Sequence, residues 1–330
     1  MTSTRRHFLA GAGALALLSR LDASWGEGAA RALPDKYPGS PGYEHDIREP
    51  GLYRLDRDIV VRESLALTGH SGPNGGLVIQ LMCGGIELDL AGHSITVHHG
   101  LSAISLQAAT NRYLTGRFPD KYAGLDNRNV LVRNGTLDLS DDDRGDNGIT
   151  LVDGWSRPAR MTLAHGANSR ELGAPPEKVA YQRNDYRLEK LKVLSNGVGV
   201  ALEGSHNVIR DCVIESAGNV AVFSAGPDNL IENCEIRLRP LARGPDAYNS
   251  PLRGAIVLRD GSNTVIRNCR IRVDTGGEPS DTHCILVRDG ATGVSVEDCT
   301  FINVEEKDWI TAMEGASVTS RGNRFERRRW

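Results

Sequence analysis

A short segment recurs along this chain with its chemistry in phase. Val208-Ile-Arg-Asp-Cys-Val-Ile214, Leu230-Ile-Glu-Asn-Cys-Glu-Ile236, Val265-Ile-Arg-Asn-Cys-Arg-Ile271 and Ser295-Val-Glu-Asp-Cys-Thr-Phe301 superpose on their Asn/Asp-Cys pair. Leu131-Val-Arg-Asn-Gly-Thr-Leu137, Arg187-Leu-Glu-Lys-Leu-Lys-Val193, Thr319-Ser-Arg-Gly-Asn-Arg-Phe325 and Asp89-Leu-Ala-Gly-His-Ser-Ile95 are weaker members. The closest spacing, Cys212 to Cys234, sets a bare unit of about 22 residues, and longer intervals carry insertions. Each unit also holds an earlier apolar strand, such as Gly197-Val-Gly-Val-Ala-Leu202 or Cys284-Ile-Leu-Val-Arg288.

Short alternating strands at this period predict a solenoid whose coils stack one on the next. No helical periodicity lies between the strands, which excludes a doubly wound sheet. Aromatic residues are only 5% of the chain, so stacked Val, Ile and Leu must fill the core. The net charge of −3 excludes a generally basic nucleic-acid binder.

Columns of equivalent positions carry physical meaning. Two places before the Cys position stand Arg133, Glu189, Arg210, Glu232, Arg267, Glu297 and Arg321, whose sign alternates at every step. Strands about 4.8 Å apart set each charge against its opposite, which fixes register and makes this column structural. The Asn134, Asp211, Asn233, Asn268 and Asp298 column reads as an inward polar ladder that bonds turn backbone. Cys212, Cys234, Cys269 and Cys299 read as a stack of small buried side chains rather than as disulfides.

The Asp-Leu-Ala-Gly-His-Ser-Ile segment and the Asn-Cys coils resemble the right-handed parallel β-helix superfamily of pectate lyases and polygalacturonases. The resemblance covers residues 76–326 and implies an all-β fold, a right-handed parallel β-helix solenoid of about eight coils with loop insertions. It also implies polysaccharide lyases, glycoside hydrolases, uronan epimerases or non-catalytic surface proteins. The polygalacturonase set of Asn-Thr-Asp, Asp-Asp and Gly-His-Gly on successive coils does not occur, nor do the epimerase Asp-Pro-His or the pectate lyase Asp-His. The substrate is therefore left open.

Residues 1–32 read as a twin-arginine signal: Arg5-Arg6, a weakly apolar run ending at Leu18, and an Ala30-Arg31-Ala32 cleavage site. This predicts export to the periplasm or beyond, with the twin-arginine machinery as a partner and no stable membrane anchor. Residues 33–75 then form a cap or lead-in, and 327–330 an Arg-rich tail.

Insertions 107–128, 138–147, 155–185, 238–252, 274–282 and 303–308 flank the Gly-x-Ile-x-Leu strands, so the outward side of those strands is the expected groove floor. Asp281 and Asp308 occupy equivalent places one coil apart, a spacing suited to a carboxylate pair in glycoside hydrolysis. His283 is placed to relay a proton or to serve as a lyase base. Arg259 and Arg288 end equivalent strands and are suited to binding a uronate carboxylate, with Asp260 and Asp289 as internal partners. Trp309 offers a stacking surface, and Tyr248 and Asp246 add polar groups. Asp141, Asp143 and Asp146 are candidate calcium ligands within an otherwise solvated acidic loop, and no other cofactor is expected. The enzymatic reading, cleavage of an acidic polysaccharide, stands against a non-catalytic glycan-binding or surface β-helix.

Overall fold

The structure is a computed structural model and describes residues 29–34, 43–61, 77–98, 102–106, 128–140, 147–151, 181, 183–218, 220–239, 253–274, 282–288, 290–306 and 309–326. All regular structure in these residues is β-strand, and every ladder is parallel. A representative coil runs Val220–Ala225, Leu230–Glu232, Glu235–Leu238, one strand on each of three faces. The first face is a nine-stranded sheet from Tyr43–Ile47 to Ile310–Ala312. Its nine rungs are one more than the Asn-Cys phase reveals. The additional coil, residues 43–61, pairs with 77–97 on all three faces but lacks the Asn-Cys pair.

The core is the tube interior. Ile79, Ile104, Ile149, Val200, Val222, Ile256 and Ile285 occupy one register position of the first face and belong to a single buried cluster. Such columns accept interchangeable β-branched and aliphatic side chains, which explains the low aromatic content.

The Asn/Asp column differs from its expectation. Asn134, Asp211, Asn233, Asn268 and Asp298 all hold φ between 52° and 59°, the left-handed region. Short polar side chains tolerate that conformation best among non-glycine residues, so the bend selects them. Asp211 and Asn233 are exposed, and Asn233 Nδ2 donates to Asp211 Oδ1 at 3.2 Å. The column therefore faces outward. The inward ladder sits at the other bend: Asn207 Oδ1 accepts from Tyr186 N at 3.0 Å, and Asn229 Oδ1 from Asn207 N at 2.8 Å.

All six cysteines are free and buried. Cys212 Sγ donates to Leu188 O at 3.5 Å and Cys234 Sγ to Ile209 O at 3.7 Å, each reaching the coil below. Gly135 holds the same position two coils before Cys212. A Cβ there would lie 2.3 Å from Leu90 Cβ and 2.7 Å from His93 O. Gly135→Cys thus restores the repeat yet overpacks the site. It is expected to cost about 1–3 kcal/mol, read as a lowered denaturant midpoint.

Part of the alternating column pairs in the expected way. Glu232 sits between Arg210 Nε at 2.5 Å and Arg267 Nε at 2.7 Å, and Arg321 meets Glu297 at 2.7 Å. Burial works against the Glu232 charge, but the bonds from Arg267 and Arg210 outweigh it and hold the carboxyl below its ordinary range. A depressed folded pKa gives stability that is present above the unfolded value, about 4.3, and is lost as pH falls through the folded value. Glu232→Gln is expected to flatten the acid limb of a stability-versus-pH curve below about pH 4.3. An unchanged limb would remove Glu232 from acid denaturation.

Candidate functional site

The outward register position of the first face runs Asp46, Gln80, Ser105, Thr150, Ala201, Phe223, Val257, Leu286, Thr311. It changes character halfway. Asp46, Gln80 and Ser105 are polar and buried, with Ser102 beside them. Above them Ala201, Phe223, Val257 and Leu286 join Val198, Val220 and Ala225 in a second apolar cluster, separate from the core and equally buried. The expected open groove floor is thus absent from the middle coils. Alternation marked these positions as outward, and it carries no information about what lies over them.

Arg259 and Arg288 end adjacent first-face strands, about 4.8 Å apart by register. Both are buried, at 3% and 6% exposure. Arg259 Nε lies 3.8 Å from Asp260 Oδ2, as the internal pairing predicts, while its buried Nη1 makes no hydrogen bond. Tyr181 packs on the apolar cluster and donates its hydroxyl to the same Asp260 oxygen at 2.7 Å. Burial and that bond push the Tyr181 phenol well above its ordinary range. Glu203, buried two rungs below Arg259 with Ala225 between, completes the cluster. In sequence, Glu203 reads only as part of a carboxylate-Gly turn, and Tyr181 lies in an insertion that no local pattern ties to the strands.

His283 begins the strand that Arg288 follows. Its ring is half-buried, with Nδ1 at 2.9 Å from Thr311 Oγ1 on the next coil. Thr311 was also missed; its register above Leu286 was the available signal. Trp309 turns into the tube end, 4.9 Å from the Phe301 ring, while Phe301 stacks on Phe325 at 5.3 Å. Its position follows the small interior residues Ala221, Ala255 and Cys284, so the large indole closes a column that would not admit it lower down. The surface offered for sugar stacking is engaged in packing. Asp281, Asp308, Asp246 and Tyr248 lie outside the described residues, as do Asp141, Asp143 and Asp146. Among the described residues no group of three or more His, Cys, Asp or Glu is placed to hold a metal ion.

His283 and Arg288 are five residues apart, about 16 Å at strand rise.

The family model for a right-handed β-helix region matches residues 179–329, which take in every coil from Val198 upward. The chain is a right-handed parallel β-helix. No curated protein and no solved structure matches it significantly. At the far end of the β-helix, a cleft of about 530 Å³ is lined by Arg31, Ala32, Arg54, Leu55, Asp56 and His93, among others. Arg31–Ala32 pairs with Tyr53–Arg54 there, so the expected cleavage site forms one wall of that cleft.

Proposed function

We propose that this β-helix is exported by the twin-arginine route and cleaves a polysaccharide, acidic rather than neutral, at the upper end of its first face. The observation that carries the reading is the His283–Thr311 contact across two coils. It holds an imidazole on one coil against the next, and acidic residues precede both strands in sequence: Asp281 just before His283, and Glu305, Glu306 and Asp308 just before Ile310. Glu305 and Glu306 are exposed. Asp281 and Asp308 are the proposed carboxylate pair and His283 the proton carrier for hydrolysis, or the base for elimination. Arg259 and Arg288 then serve carboxylates of sugars further along the chain, and Asp141, Asp143 and Asp146 remain the candidate calcium ligands.

A panel of polyuronates and neutral glycans, assayed for reducing ends and for ultraviolet absorbance of unsaturated uronate, tests this. New ends without the chromophore support hydrolysis, and both together identify a lyase. Neither on any glycan overturns the enzymatic reading in favour of glycan binding.

A further inference from the structure

The charge column of the second face bears on what can dock at the end of the stack. Register extends it downward beyond the column visible in sequence: Arg54, Asp89, Arg133, Glu189, Arg210, Glu232, Arg267, Glu297, Arg321. Alternation over an odd number of rungs leaves the same sign at both ends. Arg321, the last, has Glu297 beneath it and a side chain 74% exposed.

The upper coil also has an open backbone edge. In a parallel ladder a strand bonds its two neighbours through alternate groups. Here Arg321 O accepts from Asp298 N and Arg324 N donates to Cys299 O, both at 2.9 Å and both downward. Among the described residues no strand pairs above Val318–Arg321 or Arg324–Glu326. Thr319, Ser320, Arg321, Arg324 and Glu326 are exposed. An uncovered edge is a template for strand addition.

The column decides between occupants. A second copy stacked head to tail in register would set Ala32, which pairs beneath Arg54, over Arg321, and so offers that guanidinium no carboxylate. We propose that the upper edge takes an extended acidic segment of a partner protein, added as a further parallel rung with a carboxylate over Arg321. Arg324, also exposed, extends the basic complement. This surface is independent of the polysaccharide reading.

The probe is a labelled peptide copying residues 293–303, with Ser replacing Cys299, which presents the Glu297 rung to the edge. Fluorescence anisotropy is expected to show saturable binding, weakened about fivefold when the peptide Glu is changed to Arg. Arg321→Glu in the protein should reverse that preference, and Arg321→Gln should abolish it while leaving the fold intact. The same affinity for acidic and basic peptides, no binding at all, or head-to-tail oligomers of the protein alone in sedimentation would each overturn the proposal.

Discussion

Replacing His283 with Ala is expected to slow polysaccharide cleavage about 10²–10⁴-fold, the range contributed by a positioned proton-transfer group. The unfolding transition should move little, because the ring is half-buried and the bond given up to Thr311 is worth about 1 kcal/mol net. Thr311→Val keeps the shape of its side chain but removes the oxygen that holds Nδ1. It is expected to lower kcat less than His283→Ala and to leave KM unchanged, the pattern of a positioning residue. Asp281→Asn and Asp308→Asn should each lose activity on the scale of His283→Ala if they form the carboxylate pair. Full turnover in His283→Ala would remove His283 from the catalytic site.

The stacking was legible because it is written in phase. Arg210, Glu232 and Arg267 announce neighbouring strands by sign, and the ion pairs at Glu232 are the ones that the alternation requires. The Cys column was legible for the same reason. Orientation was harder. Asn233 and Asp211 were in phase but read as inward, because an Asn is suited both to a buried ladder and to a left-handed bend, and only φ separates the two. The lowest coil was missed because Gly51-Leu-Tyr-Arg54 and Ile59-Val-Val61 share the shape of a rung without its Asn-Cys signature. At the site, sequence supplied His283 and the Arg259–Asp260 pairing, both encoded locally. Tyr181 comes to Asp260 across 79 residues, and no local pattern records such a meeting.

Phe223→Ala is expected to destabilise the β-helix by about 3–5 kcal/mol, the cost of emptying a buried aromatic site. That outcome is not the one its strand position suggests. Val222 points into the tube, so Phe223 points out, and an outward residue on a bare groove floor would cost within about 0.5 kcal/mol to truncate. Phe223 is instead 2% exposed and sits between Ala201 below and Val257 above in the second apolar cluster. The change should be read as a denaturant midpoint, since stacked repeats need not unfold in one step. A large loss with cleavage unchanged makes the middle of the first face a second core. The substrate is then confined to the rim near His283, because a sugar chain gains nothing from Val198, Val220 or Leu286 while they are covered. A loss below about 1 kcal/mol would mean that this apolar face is open in solution and available to a ligand.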